Sequence, residues 1–288
     1  MPELALPLAQ KAAHLFSEKG IENARLEAEL LLAHVLGIGR LDLYLQYDRP
    51  LTESQLEAYR GYVRRRLKRE PLQHIIGRVQ FRHLELCVDA RALIPRPETE
   101  LLVEEVLRYA RDRAEALRAL DLGVGSGAIA LSIVREAPNV SVVATDMAGG
   151  ALALAGENAD RLGLSVELRS GDLWAAVASA EQFDIVVSNP PYVAHHERAT
   201  LQPEVRDWEP AAALFGGDDG LQVIRGLIAR APSHMRPGAL LALEIGMTQA
   251  AAVRVLIEQT TSFENIRVVR DLSGRERILT ALRRKQDG

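Results

Sequence analysis

Hydrophobic positions follow two different patterns along the chain, and the longer pattern begins at about residue 118. From there, short apolar segments of strand length alternate with longer segments whose apolar residues recur at helical spacing. This alternation predicts an α/β fold, in which a mostly parallel sheet is covered by helices on both faces. The last two apolar segments are too close together for a crossover helix, so they should pair antiparallel. The predicted strands contain RALDLGVG, SVVATD, VELRSGD, FDIVVSNPPY, ALLALEIG, NIRVVRDL and RERILTALR.

The first part of the chain, residues 1–71, shows helical spacing only. Gly37 follows one apolar segment at the point where a helix would end. Thr52 and Gln55 form a capping-box pattern ahead of the next helix, and Pro71 ends that helix. We therefore predict a small N-terminal helical bundle that contains no catalytic constellation.

Residues 72–95 connect this bundle to the α/β region and are predicted to form a β-hairpin linker. Apolar and β-branched residues alternate there around Gly77, which is typical of a hairpin. The remaining residues, 96–288, then form the α/β domain.

The helix before the linker carries a dense basic cluster, for which two interpretations stay open. The cluster is either a solvated face opposite the apolar stripe or a docking surface for an acidic partner or RNA. Its members are Arg60, Arg64, Arg65, Arg66, Lys68 and Arg69.

Composition excludes several classes of protein. The 288-residue chain has a formal net charge of -4 and a pI near 6.0, which argues against nucleic-acid binding over the whole surface. Cys87 is the only cysteine, so an intramolecular disulfide and a cysteine metal cluster are excluded, and we expect it to be half-buried. No histidine has metal-ligand spacing, so no metal is expected. Without a secretory signal or an apolar run of membrane-spanning length, we expect a soluble, cytoplasmic protein with no membrane contact.

The first strand of the α/β region leads into a glycine turn, GVGSGA at 123–128, that opens a helix. Such a turn lets a ligand approach the backbone, and the helix N-terminus offers unpaired N–H groups. Asp146 ends the next strand, where a carboxylate reaches ribose hydroxyls. On the glycines alone, a dinucleotide remains possible. Asp121 favours the cationic amino acid end of S-adenosylmethionine instead, because a carboxylate there would repel a pyrophosphate.

Asp172 and Trp174 close the third predicted strand, near the expected position of an adenine ring. Trp174 would either form an apolar wall for this base or cover the end of the sheet.

The segment Asn189-Pro190-Pro191-Tyr192 follows the strand FDIVVS and should face the same crevice as the glycine turn. The prolines make a rigid turn without backbone N–H groups, so the Asn189 side-chain oxygen and the Pro190 carbonyl are its exposed acceptors. Two acceptors suit a planar NH₂ group, because they fix the nitrogen and compensate the positive charge that develops during methyl transfer. Tyr192 offers a flat face for stacking.

This chemistry needs no general base, since the proton can leave after the methyl group has arrived. We therefore expect His195 and His196, just past the turn, to be solvated rather than catalytic. Glu98 and Glu100 either line the acceptor entrance or act as first-turn helix charges. Residues 216–220 form either a mobile loop near the site or an ordinary turn before a helix.

Residues 121–127 (DLGVGSG), Asp146 and NPPY together resemble class I amino-methyltransferases. The wider pattern resembles the HemK/PrmC family, the release-factor glutamine-N5 methyltransferases, over about residues 25 to 283. Further marks of that family are PLQHIIG at 71–77, LIPRPETELL at 93–102 and EPAAALFGGDDGL at 209–221.

The resemblance implies a class I methyltransferase (Rossmann-like) fold, with seven strands of which the last is antiparallel, and N-terminal helices that help to bind a protein partner. It implies S-adenosyl-L-methionine as cofactor, S-adenosyl-L-homocysteine as product, and the glutamine of the Gly-Gly-Gln motif in class I peptide chain release factors as substrate. The residues implied to contact the cofactor are Asp121, Leu122, Gly123, Val124, Gly125, Asp146, Trp174 and Asn189, with Asp172 beside them. Those implied to hold the glutamine are Asn189, Pro190, Pro191 and Tyr192, and we expect Asn189, Pro190 and Tyr192 to promote the transfer.

Three other functions remain open from the residues themselves. An N6-adenine DNA or RNA methyltransferase would also use NPPY, but it usually needs a target-recognition module and a basic channel. An NAD-dependent dehydrogenase would leave NPPY unexplained. A non-catalytic cofactor- or RNA-binding protein is disfavoured by the intact NPPY turn, and only turnover excludes it.

Overall fold

The computed structural model of the protein describes residues 3–285. Residues 1–2 of the predicted helical bundle and 286–288 of the predicted α/β domain lie outside the described residues. Contacts divide the chain into two compact units. The first unit runs to Arg78 and also includes Gln202–Trp208. The second comprises Val79–Leu201 and the chain from Glu209 onward.

The described residues form twelve α-helices and nine β-strands, numbered in chain order. The helices are α1 (Ala5–Glu18), α2 (Ala24–Leu36), α3 (Asp42–Leu45), α4 (Glu53–Leu67), α5 (Leu72–Ile76), α6 (Thr99–Arg111), α7 (Ala128–Glu136), α8 (Gly149–Leu162), α9 (Pro203–Trp208), α10 (Ala211–Leu214), α11 (Gln222–Arg230) and α12 (Ala250–Gln259). The strands are β1 (Arg78–Phe81), β2 (Leu84–Cys87), β3 (Leu117–Leu122), β4 (Val140–Asp146), β5 (Glu167–Ser170), β6 (Phe183–Ser188), β7 (Met235–Glu244), β8 (Phe263–Arg270) and β9 (Glu276–Arg283). Short 3₁₀ helices span Leu173–Ala176, His195–Thr200 and Ala231–His234.

The first unit is a helical bundle with its own apolar core, built mainly from α1, α2 and α4. Phe16 and Leu31 are fully buried, and the buried Tyr59 hydroxyl donates to the Ala28 carbonyl at 3.0 Å. The predicted capping box is confirmed. The Gln55 backbone N–H donates to the Thr52 side chain, and the Thr52 backbone N–H donates to the Gln55 side chain. This pair sets the start of α4 and therefore the position of the basic cluster.

One member of the basic cluster belongs to the interior of the first unit. The Arg66 side chain is only 4% exposed and pairs with Glu27 and, at 2.8 Å, with Glu204 of α9. Arg69 binds the other oxygen of Glu204 at 2.7 Å. Neither the solvated face nor the docking surface predicted for the cluster therefore includes Arg66, which is buried because two carboxylates compensate its charge.

The predicted linker 72–95 differs from the structure in its first residues. Leu72–Ile76 form α5, and Gly77 ends this helix in the left-handed conformation, with φ of 78°. The hairpin comes later: β1 and β2 pair across a turn at Arg82 and His83. Gly77 was wrongly predicted as the centre of the hairpin because a glycine serves a helix C-terminus and a turn equally well.

The second unit contains the predicted seven-stranded sheet, with strand order β5-β4-β3-β6-β7-β9-β8. Strands β3 to β7 pair parallel with one another, whereas β9 pairs antiparallel with both β7 and β8. The predicted fold class, a mostly parallel sheet with an antiparallel last strand, is confirmed. Helix α11 stops at Arg230, and Pro237 and Gly238 lie inside β7.

Both faces of the central strands β3, β4 and β6 are buried, which explains why these strands are mostly apolar. Ala119 and Val142 face one core together with α6 and α7, whereas their chain neighbours Leu120 and Val143 face a second core with α11 and α12. Successive side chains of a strand point to opposite faces, so a covered sheet needs apolar residues at every position.

The parallel strands all end at the same edge of the sheet. The ends of β3, β4, β6 and β7 bring the glycine turn, Asp146, Asn189 and Glu244 to this edge. In open α/β sheets, this edge is where ligands bind.

Candidate active site

A cavity of about 400 Å³ opens at this edge, a volume within the range of small-molecule sites. Its walls come from the glycine turn, the end of β4, the NPPY segment, α10 and the residues before α6. Of the predicted site residues, the cavity is lined by Leu122, Gly123, Val124, Gly125, Asp146, Asp172, Asn189, Pro190 and Pro191. The structure thus brings the predicted cofactor side and acceptor side together in one cavity.

The glycine turn holds a backbone conformation that other residues rarely adopt. Gly123, Gly125 and Gly127 have φ of 91°, 54° and 88°. The Gly123 and Val124 N–H groups both donate to the Thr145 carbonyl at 2.9 Å, which fixes the turn against the end of β4. Because the turn leads directly into α7, the unpaired N–H groups of that helix face the cavity edge.

Asp146 is held by two backbone N–H groups at the mouth of the turn. Its Oδ2 accepts from Gly125 N at 3.0 Å, and its Oδ1 accepts from Ala148 N at 2.9 Å. Each carboxylate oxygen still has a free lone pair. The side chain is therefore fixed in place and can accept further hydrogen bonds from a ligand in the cavity.

Two of the predicted cofactor residues, Asp121 and Trp174, do not line the cavity. Asp121 is fully buried in β3, and burial, followed by the charge of Asp146, raises the pKa of its carboxyl well above the ordinary value. Trp174 is buried against the His234 ring at 4.9 Å, and its indole N–H donates to the Gly226 carbonyl. Of the two interpretations of Trp174, the structure favours the one in which it covers the end of the sheet. Its neighbour Leu173 lines the cavity instead.

The Asn189 side chain is oriented by a neighbour that the sequence did not indicate. Its Nδ2 donates to the Thr99 hydroxyl at 3.1 Å, and that hydroxyl donates to Glu244 at 2.6 Å. Because Nδ2 binds Thr99, Oδ1 is the amide atom that remains as an acceptor. Thr99 itself also lines the cavity.

Tyr192 is attached to the same carboxylate and does not line the cavity. Its hydroxyl donates to the other oxygen of Glu244 at 3.3 Å. Glu244 is 1% exposed, and this burial raises the pKa of its carboxyl to about 7 although Thr99 and Tyr192 donate to it. The tyrosine ring is half-buried against the second core.

The loop at 216–220 packs against the NPPY segment. The Gly216 N–H donates to the Val193 carbonyl, and the Gly217 carbonyl accepts from His195 N. The Gln249 side chain donates to the Tyr192 carbonyl at 2.9 Å and to the Gly220 carbonyl at 3.4 Å. These bonds make the loop a backbone support for the acceptor turn.

The remaining candidates lie away from the cavity. The His195 side chain is 60% exposed and binds Asp218, and Glu100 accepts from the backbone of Arg82 rather than lining the entrance. Cys87 is half-buried, as predicted. Within residues 3–285, no group of three or more His, Cys, Asp or Glu side chains is arranged to hold a metal ion. In the same part of the chain, no helix combines the length and apolar character that crossing a bilayer requires.

Family profiles match both parts of the chain. The profile of the PrmC N-terminal domain matches residues 8–77, and that of the methyltransferase small domain matches residues 97–205. Two solved structures share the fold. A methyltransferase from Pyrococcus furiosus is 17% identical, with a TM-score of 0.52 over 70% of this chain and 90% of that chain. The 16S rRNA N2 G1207 methyltransferase of T. thermophilus is 19% identical, with a TM-score of 0.51 over 72% of this chain and 50% of that chain.

Curated relatives match along almost the whole length. The release factor glutamine methyltransferase of Geobacter sulfurreducens is 44% identical over 263 residues, which are 91% of either chain. That of Chlorobaculum tepidum is 42% identical over 276 residues, which are 93% of either chain. The cavity geometry and this similarity agree, and the chain is an enzyme that belongs to the release factor glutamine methyltransferase family.

Proposed function

We propose that this protein transfers a methyl group from S-adenosylmethionine to the side-chain amide nitrogen of the glutamine in the Gly-Gly-Gln motif of class I peptide chain release factors. The observation that carries the proposal is the shared cavity, which is lined by the glycine turn on one side and by Asn189 and Pro190 on the other. Membership of the family supports the choice of a release factor as the acceptor.

The residues of the cavity fit the cofactor. The glycine turn leaves room for a ligand against its backbone, and Asp146 presents carboxylate lone pairs to ribose hydroxyls. The buried carboxyl of Asp121 behind this turn favours a cationic ligand over a pyrophosphate, because a nearby positive charge stabilises its ionised form and a negative charge does not. Asp172 and Leu173 are the proposed contacts of the adenine ring. When bound, S-adenosylmethionine supplies an activated methyl group on a positively charged sulfur.

The acceptor turn fixes the glutamine for this transfer. Asn189 Oδ1 and the Pro190 carbonyl accept the two hydrogens of the amide NH₂ and point its nitrogen at the methyl group. Both acceptors stabilise the positive charge that develops on the nitrogen, so the bond to the methyl carbon forms before the proton leaves to solvent. Pro191 keeps the turn rigid, and Tyr192 anchors the end of the turn through the bond from its hydroxyl to Glu244.

The helical first unit is proposed to help in binding the release factor, and residues 96–288 are proposed to carry the chemistry. Arg60 and Arg64 are 45% and 62% exposed, so they offer positive charge for incidental contact with RNA or the ribosome. We propose that the reaction takes place in the cytoplasm, where release factors act, and that it uses no metal ion.

The direct test is transfer of labelled methyl from S-adenosylmethionine to purified release factor. A factor whose motif glutamine is replaced by alanine, and duplex DNA, serve as parallel acceptors. We expect label on the wild-type factor alone. Label on DNA would replace the proposal with adenine methylation, and equal label on both factors would exclude the motif glutamine as the target.

A further inference from the structure

Glu244, Thr99 and Asn189 form a hydrogen-bonded chain that joins three separate elements of the second unit. Thr99 begins α6, Asn189 follows β6, and Glu244 ends β7. The Asn189 amide donates to the Thr99 hydroxyl at 3.1 Å, and the Thr99 hydroxyl donates to Glu244 Oε2 at 2.6 Å. Thr99 and Glu244 are 3% and 1% exposed, so water does not replace these bonds.

The donor and the acceptor of each hydrogen bond in this series follow from the charge of Glu244, its buried end. An ionised carboxylate only accepts hydrogen bonds, so Thr99 must donate its single hydroxyl proton to Glu244. The Thr99 oxygen is then left as an acceptor, and it pairs with the NH₂ of Asn189 and not with the oxygen. An isolated asparagine amide has no such preference between its two orientations.

We infer that Glu244 and Thr99 are positioning residues that hold the Asn189 amide with its oxygen facing the methyl acceptor. The inference rests on the proposed function, in which that oxygen binds the NH₂ group of the target. In the reversed orientation, Asn189 would present its own NH₂ to the NH₂ of the substrate, and two donors do not pair. The buried carboxylate thus selects an acceptor that presents an NH₂ group, although Glu244 itself is separated from this group by Thr99 and Asn189.

Glu244 also holds the other end of the acceptor turn. Its Oε1 accepts from the Tyr192 hydroxyl at 3.3 Å while Oε2 accepts from Thr99. The first and last residues of the NPPY segment are therefore tied to one carboxylate. A single buried group fixes the width of the turn as well as the orientation of its asparagine.

This arrangement makes the acceptor turn sensitive to protonation of Glu244. Burial and the Glu98 carboxylate raise its pKa to about 7, whereas Thr99, Tyr192 and the Arg277 guanidinium oppose the rise. Below that pH, a proton on Oε2 lets the carboxyl donate to Thr99, which then donates to Asn189 Oδ1 and reverses the amide. The transfer rate should therefore rise with pH through about 7, in a reaction that otherwise needs no base.

The test compares three variants of the full-length chain in single-turnover methyl transfer to release factor. Thr99→Val removes the hydroxyl at nearly the same size, and we expect a rate about tenfold to hundredfold lower, with unchanged affinity for the cofactor and the factor. Thr99→Ser restores the hydroxyl and most of the rate. Glu244→Gln still accepts from Thr99 but does not titrate, so its rate should lose the acidic limb of the pH profile.

A second measurement tests the hydrogen bond between Asn189 and Thr99 without any turnover. In ¹⁵N spectra of the protein, the side-chain NH₂ of Asn189 should exchange slowly with solvent in the wild type and in Thr99→Ser, and rapidly in Thr99→Val. Rapid exchange in the wild type would overturn the inference, as would a normal transfer rate in Thr99→Val or a retained acidic limb in Glu244→Gln. A wild-type chain that protects this NH₂ but transfers no methyl to the factor would refute the proposed function alone.

Discussion

Replacing Gly220 with alanine should disturb the acceptor turn, because the added Cβ would clash with the backbone of Tyr192. Gly220 is buried with φ of 73°, and a Cβ at this position would lie 2.3 Å from the Tyr192 carbonyl oxygen. Ordinary van der Waals contact begins at 3.4 Å. The turn or the loop must therefore move by about 1 Å, a displacement that can reduce catalysis by about 10²-fold when it affects a positioned group.

Gly274 provides a matched control for this substitution. Its φ is 78°, almost the same as at Gly220, but a Cβ there would meet nothing within 4 Å. Alanine at either position costs roughly 1–2 kcal/mol for its left-handed backbone. Gly220→Ala should cost about 1–3 kcal/mol more in unfolding free energy, because it also overpacks the loop.

The assay for both variants is single-turnover methyl transfer at saturating S-adenosylmethionine, together with denaturant unfolding. We expect the methyl transfer rate of Gly220→Ala to be about 10- to 10²-fold lower than that of the wild type, and Gly274→Ala to keep the wild-type rate. If the two variants transfer methyl equally fast, the loop at 216–220 does not support the acceptor turn.

Three further substitutions test the other parts of the site and the first unit. Asn189→Ala should leave the fold intact and lower the methyl transfer rate by roughly 10²–10³-fold, because one of two preorganised acceptors is lost; a near-normal rate would exclude the acceptor pair. Asp146→Ala should weaken S-adenosylmethionine binding by about tenfold or more in calorimetry, whereas Asp160→Ala, at an exposed position of α8, should bind normally. Arg66→Ala leaves Glu27 without its cation and Glu204 with Arg69 alone, and should destabilise the first unit by about 3–5 kcal/mol in denaturant unfolding, whereas the exposed Arg60→Ala should stay within about 0.5 kcal/mol of wild type.

The sequence predicted the sheet and the cavity edge because these depend on local signals. The periodicity of apolar residues predicts each strand and helix from its own segment. The glycine turn and Asp146 lie close together along the chain, and NPPY follows its strand directly. Strand ends of a parallel sheet meet at one edge, so the topology alone brings such segments together.

The partners that orient these segments could not be predicted in this way. Thr99 lies 90 residues from Asn189 and 145 residues from Glu244 in the sequence, and no spacing rule connects them. A glutamate inside the apolar strand ALLALEIG was the one available signal, because a buried carboxylate needs a partner. The sequence pattern did not show which partner it would find.

Side-chain direction explains two other differences between prediction and structure. Leu173 has a positive φ of 47°, and the irregular turn that it begins puts Leu173 in the cavity wall and Trp174 in the core. In α4, the run of arginines does not reveal that Arg66 alone points at two carboxylates. Both outcomes depend on tertiary packing rather than on residue type.

Fragment mass spectrometry of release factor, after reaction with this enzyme and S-adenosylmethionine, locates the transferred methyl group. We expect one added methyl group, located on the side-chain nitrogen of the Gly-Gly-Gln glutamine, and its loss with Asn189→Ala. A methyl group on any other residue of the factor, or an unchanged yield with Asn189→Ala, would contradict it.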